Sequence, residues 1–175
     1  MSLVGDHLQL QDTVLDLQVA GKAALFEAIG RHVQRVHGLP AEAVVAALLR
    51  RERTGSTAVG RGVAIPHARV RGLDRIRVVY LRLAPALSFD TPDGRPITDV
   101  LVLLVPDPAA PLHLDLLADA AALFCDADFR QALHGCSDAS LVQALFARWR
   151  TPAPGTDHGA GGGEIGMETR AARAQ

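Results

Sequence analysis

The amino-acid sequence predicts an α/β protein, a three-layer α/β/α sandwich with helices on both faces of a small sheet. Three observations lead there. The apolar period alternates along the chain in the order strand, two helices, several strands, three helices. The run Asp99 to Val105 (DVLVLLV) is apolar almost without interruption, as a central strand covered on both faces requires. The chain has 175 residues and is 49% hydrophobic, enough for one domain with a sizeable core.

Each element has its own signal. Thr13 to Leu17 alternates like a short first strand. Leu25, Ile29 (or Ala28), His32, Val33 and Val36 recur at helical spacing from about Gly21, and Gly38 closes that helix. His32 lies on or beside the apolar stripe and reads as a packed residue, and His37 at the helix end reads as a cap. Pro40 and Glu42 suit the first turn of a second helix. Its buried face is Val44, Val45, Leu48 and Leu49, and its end carries Arg50, Arg51, Glu52 and Arg53. Gly72 to Asp74 forms a turn before a strand over about Arg75 to Leu83. Pro85 to Phe89 is a connection, and Asp90 to Pro96 is dense in turn formers. Pro106 ends the central strand and Asp107 to Pro111 is a loop. A helix opening at Leu112 has the stripe Leu114, Leu117, Ala118, Ala121 and Phe124. Two more helices fit Phe129 to His134 and Leu141 to Trp149, with Ser137 as N-cap of the last. From Thr151 the composition is Gly, Pro and Ala, too poor in apolar surface to offset ordering entropy. Residues 1–150 therefore read as the domain and 151–175, including His158, as a flexible tail.

The stretch that carries chemistry is Arg50 to Val70, RRERTGSTAVGRGVAIPHARV. A loop of small residues, Thr54 to Gly62, follows the arginines, then Val63-Ala64-Ile65, then Pro66 and His67. Successive amides in a glycine-containing loop can form an anion-binding concavity. Pro66 biases Ile65 to an extended conformation and sets His67 on a stiff base. A neutral imidazole is a good nucleophile toward phosphorus near neutral pH. Phosphoryl transfer then needs in-line placement and donors for the equatorial oxygens. Ser56, Thr57, Gly60 and Gly62 are candidates for that cradle, and Arg51 offers a planar fork, although Arg50 or Arg53 is an alternative reach. His113 lies in the first turn of a helix, where the dipole lowers its pKa and favours an anion.

The pattern R-E-R-x-G-S-T-x-x-G-x-G-x-A-I-P-H, on Arg51 to His67, resembles the signature of phosphotransferase-system enzyme IIA domains of the mannitol/fructose class. It is most similar to their nitrogen-regulatory branch. Later markers are Phe89-Asp90, Leu104-Val105-Pro106 and His113-Leu114, so the resemblance spans roughly Leu8 to Ala147. It implies a mixed sheet of four to five strands, phosphorylation of His67, a functional arginine at Arg51, and His113 beside the phosphorylated ring. It further implies a phosphohistidine carrier and regulator, loaded by an HPr-like (NPr-type) phosphocarrier and acting on target proteins such as transporters or sensor kinases. Within the family the alternative is a sugar-specific IIA component that passes phosphate to a IIB domain. Ala58 and Ala68 stand where glycines are expected, and their methyls would narrow the approach of a partner.

Composition restricts the alternatives. A formal charge of −1 argues against a nucleic-acid binder. No apolar run suggests membrane insertion, and MSLVGDHLQL lacks a signal-peptide layout, so the cytoplasm is the expected compartment. Cys125 and Cys136 lack a C-x-x-C spacing and read as buried or half-buried free thiols. No cofactor is called for. A metal held by His67 and His113 wants a third ligand that the spacing does not supply. A Ser56–His67 hydrolase lacks the G-x-S-x-G elbow, and no G-K-[ST] marks a P-loop. Glu52 reads as a helix-surface ion pair, and Asp90 as a turn residue that orders the site at most.

Overall fold

A computed structural model of the chain describes residues 2–108 and 112–150. The proposed tail and the end of the 107–111 loop lie outside the described residues. The elements are α1 (Leu3–His7), β1 (Leu8–Leu17), α2 (Lys22–His37), α3 (Ala41–Glu52), β2 (Ala58–Gly60), β3 (Val63–Ala64) and β4 (His67–Val70). They continue with β5 (Arg77–Leu87), β6 (Ile97–Pro106), α4 (Leu112–Cys125), α5 (Ala127–Gly135) and α6 (Ala139–Arg148).

The sheet is mixed, in the order β1-β5-β6-β3-β2, and β4 also pairs with β6. β3 and β4 pair with β6 in parallel and in one register, Val63 opposite Asp99 and His67 opposite Leu103. They are one row broken at Ile65 and Pro66, so six strands make five rows, within the four to five expected. The break has a chemical reason: Pro66 has no N–H to give to the ladder, while its carbonyl still accepts from Leu103 N–H at 2.9 Å.

β6 alternates between two cores. Val100, Val102 and Leu104 face α2 and α3, packing with Leu25, Phe26, Ile29 and Leu48. Leu101 and Leu103 face the other helices, packing with Leu116, Phe124, Phe129 and Phe146. That double burial is why the strand reads as an apolar run, and each fully buried Leu or Phe contributes about 1.5–3 kcal/mol. The three layers are therefore as expected.

Several local expectations need correction. The first strand starts at Leu8 rather than Thr13, because Leu8 pairs with Val78 and is itself buried. Helix α1 carries no signal in the sequence; five residues are too few to show a period, and it is held by Asp119, which accepts from Ser2 Oγ and Val4 N–H. β5 runs on through Pro85 to Leu87, which pairs with Ile97 beyond a register shift. Loop residues 58–60 form the short strand β2. Asp138, not Ser137, caps α6, accepting from the amides of Ser140 and Leu141. The face of α4 is rotated: Leu116, Ala120, Leu123 and Phe124 are buried while Leu114 is 71% exposed. Cys125 is exposed and Cys136 half-buried.

Candidate active site

Three elements converge on one open cleft of about 400 Å³ at the β4 edge: the end of α3, the start of β4 and the first turn of α4. Arg50, Arg51, His67, Arg69, Asp107 and His113 line it. The turn at Pro66 sets His67 at the first position of β4, half-buried, so one ring edge meets backbone and the other meets the cleft.

His67 Nδ1 lies 2.8 Å from the carbonyl of Ile65. A carbonyl only accepts, so Nδ1 carries the proton and donates. Nε2 then presents its lone pair, and Arg51 Nε–H donates to it at 3.0 Å. One guanidinium nitrogen of Arg51 also donates to Thr54 Oγ1 at 3.1 Å and to the carbonyl of Gly55 at 3.0 Å, which holds the fork against the site. Burial lowers the pKa of His67; the Ile65 carbonyl opposes that, and Arg51 and His113 add to the lowering. The ring is neutral and nucleophilic at neutral pH. His113 stands with its ring centroid 6.0 Å from that of His67. Burial, then the charge of Arg69, lowers its pKa too. Its Nδ1 is buried without a hydrogen-bond partner among the described residues.

The family model for the phosphoenolpyruvate-dependent sugar phosphotransferase system, EIIA 2, matches residues 6–149. The chain belongs to this family. It is 35% identical over 131 residues to a nitrogen regulatory protein of Bradyrhizobium diazoefficiens, covering 75% of this chain and 86% of that one. It is 34% identical over 135 residues to one of Pseudomonas aeruginosa, covering 77% and 86%. Among solved structures it is similar to the nitrogen regulatory protein IIA-Ntr of Neisseria meningitidis, with a TM-score of 0.77, 38% identity, and 83% and 99% of the two chains covered. The mannitol IIA of Escherichia coli shares the fold at a TM-score of 0.65 and 18% identity, covering 79% and 98%. As an EIIA domain similar to nitrogen regulatory proteins, the chain is a phosphotransfer component.

In this EIIA domain Arg51, His67 and His113 come together. The other residues expected in a phosphate cradle make different contacts. Ser56 Oγ donates to the carbonyl of Asp90 at 2.7 Å, so Asp90 serves the loop through its backbone. Thr57 is buried, and its hydroxyl and amide both donate to Glu52 Oε2, at 2.7 and 3.1 Å. Glu52 also pairs with Lys22 at 2.7 Å. Its side chain is 9% exposed, so the ion pair is a latch between α2, α3 and the loop rather than a surface pair. Burial raises the Glu52 pKa, but the Lys22 and Thr57 contacts outweigh it and hold the carboxyl below its usual range. Gly60 precedes the tight β2–β3 hairpin turn and Gly62 lies within it, and neither lines the cleft. The methyls of Ala58 and Ala68 are buried in the core beneath α3, although Ala68 also reaches the cleft wall. Sequence reasoning alone does not single out Arg69 and Asp107. The alternation of β4 places Arg69 on the exposed face two residues after His67, a signal that becomes readable once His67 is known to open a strand. Among the described residues no three His, Cys, Asp or Glu side chains are placed to hold a metal ion, and no helix is long and apolar enough to cross a membrane.

Proposed function

We propose that the protein is a phosphohistidine carrier and regulator, which accepts a phosphoryl group on Nε2 of His67 from an HPr-like phosphocarrier and controls partner proteins by its phosphorylation state. The observation that carries this reading is the pair of hydrogen bonds on the His67 ring: proton held on Nδ1 by Ile65, lone pair on Nε2 faced by Arg51. In the step, the Nε2 lone pair attacks phosphorus while the donor's P–N bond breaks in line, and the donor imidazole leaves with that electron pair. His67 keeps its Nδ1 proton throughout. Arg51 exchanges its contact with Nε2 for the phosphoryl oxygens, a short movement for a planar fork already in place. His113, its ring centroid 6.0 Å from that of His67, is the second ring beside the phosphoryl position. Arg69 adds positive charge to the same cleft.

Modification adds about −1.5 to −2 charge to one surface patch, enough to make or break a transient interface. The targets are proteins of the transporter or sensor-kinase kind, in the cytoplasm where such a relay would run. Similarity to nitrogen regulatory proteins supports regulation as the output.

A second reading, a sugar IIA component, has its own support. The chain is 31% identical over 106 residues to a fructose-specific EIIA component of Haloferax volcanii, covering 61% of this chain and 69% of that one. Phosphorus NMR on the loaded protein, followed by addition of sugar IIB domains, separates the two. A signal for Nε2-phosphohistidine that persists in the presence of IIB domains supports the regulator, and rapid transfer to one of them supports the sugar component. A phosphoryl group found on Nδ1 would overturn the proposed chemistry in both.

A further inference from the structure

A second cationic cleft lies apart from His67, between the β2–β3 turn, the 93–95 loop and the exposed face of α5. It is open, about 740 Å³, and its charged lining is Arg61, Arg95 and Arg130 with Asp93, beside the ring of His134. That volume is within the usual range for small-molecule sites, roughly 300–1,000 Å³.

Three features distinguish it from an ordinary solvated patch. The first is Arg61. Gly60 pairs with Val63 across a two-residue turn whose central residues, Arg61 and Gly62, have φ of +58° and +78°. Positive φ at both positions is the geometry that favours Asn or Asp followed by Gly, and it strains an arginine. The backbone is held there from outside, by Asp93 Oδ2 accepting the Arg61 N–H at 2.7 Å and by the Thr98 and Asp99 amides donating to the Gly62 carbonyl. The turn therefore gains nothing from the arginine side chain, whose guanidinium projects at the cleft.

The second feature is His134. Its Nε2 lies 2.8 Å from Oδ2 of Asp99, a carboxylate whose side chain is 3% exposed. Asp99 also accepts from Tyr80 Oη at 2.6 Å and Thr98 Oγ1 at 2.8 Å. A buried ionised carboxylate only accepts, so Nε2 carries the proton and Nδ1 is the other ring nitrogen, on a side chain that is 53% exposed. The ring is thereby fixed as a wall of the cleft, with the Nδ1 lone pair as an acceptor.

The third feature is the charge balance. The single carboxylate, Asp93, accepts the amides of Arg61 and Arg95, and lies only 4.0 Å from one guanidinium, that of Arg95. Arg61 and Arg130 have no salt-bridge partner among the described residues, and Arg130 is steadied by donating to the Phe124 carbonyl at 2.6 Å.

We infer that this cleft binds a small polyanion, a molecule presenting two or more clustered anionic groups to Arg61, Arg95 and Arg130, with the His134 ring as one wall. A single oxyanion would leave much of a cleft this size empty, whereas an oligophosphate or a tricarboxylate would engage several of these donors together. The inference does not depend on the chemistry at His67.

The test is calorimetric titration of the full chain with inorganic tripolyphosphate and, separately, with citrate, at two salt concentrations. The variants are Arg61→Asn with Arg95→Gln, and Arg50→Gln with Arg69→Gln as the control for anions entering the His67 cleft. Saturable, salt-weakened binding is expected, and the first pair of substitutions should weaken it by roughly tenfold or more, given the strength of charge-assisted hydrogen bonds. Arg61→Asn suits the turn, so its melting temperature should not fall, which separates lost contacts from lost folding. Tripolyphosphate alone binding assigns a phosphate source, and citrate alone a carboxylate one. No binding of either, or binding removed by the Arg50/Arg69 pair and untouched by the Arg61/Arg95 pair, overturns the inference.

Discussion

At the scale of single residues, the proposed function rests on which nitrogen of His67 holds the proton. Because burial and Arg51 lower its pKa, the ring should titrate below 6.5, the value for a free histidine. His113 should do the same. As pH falls through 6.5 the unfolded chain therefore takes up protons before the folded one does, so stability declines toward acid and recovers as pH rises. Following the two ring signals by NMR checks this, and a His67 midpoint above 6.5 would contradict the burial argument. Arg51→Lys keeps the charge but loses the fork. It should slow phosphoryl acceptance by roughly 10²-fold, on the scale of removing one transition-state donor, while leaving the thermal midpoint in place. His67 and Arg51 are readable in the sequence because Pro66 and the R-E-R-x-G-S-T run are local chemistry. The roles of Ser56 and Thr57 are not, since spacing does not say where a hydroxyl points: to the Asp90 carbonyl far along the chain in one case, back to Glu52 within the same motif in the other.

At the scale of elements, α3 is the arm that delivers Arg51, and its seat on α2 is tight. A Cβ added to Gly30 would lie 2.6 Å from Val45 Cγ2 and 2.9 Å from the Ala41 carbonyl oxygen. The valine can turn; the backbone oxygen cannot without moving α3. Gly30→Ala should therefore destabilise the fold by about 1–3 kcal/mol, the usual range for overpacking, despite the better helix propensity of alanine. Denaturant unfolding measures this. An unchanged or raised midpoint would show that α3 shifts freely. Helix phase is hardest to read in α4. Leu112, Leu114, Leu116 and Leu117 sit in its first turns, and a helix apolar nearly all round does not declare its buried face. The sheet is easier, because β6 is flanked by two cores and must therefore be apolar on both faces, which leaves a continuous run in the sequence.

At the scale of the whole molecule, the two cores leave leucines exposed beside the cleft, on either side of His113. Leu114, 71% exposed, follows His113 directly. In the proposed relay Leu114 would meet the phosphocarrier beside His113, and an exposed leucine beside polar groups suits a transient interface. Leu114→Glu should raise the KM for the phosphorylated donor several-fold with little change in kcat or melting temperature. A change in stability instead would mean that Leu114 packs within the domain. The most direct measurement of His67 as the phosphoryl acceptor is intact mass after incubation with phosphoenolpyruvate, enzyme I and the small phosphocarrier, for the native chain and for His67→Ala and His113→Ala. One added phosphoryl group is predicted on the native chain, none on His67→Ala, and slow or short-lived loading on His113→Ala. Loading of His67→Ala to the native level, or no loading of the native chain by a competent donor, would contradict that role.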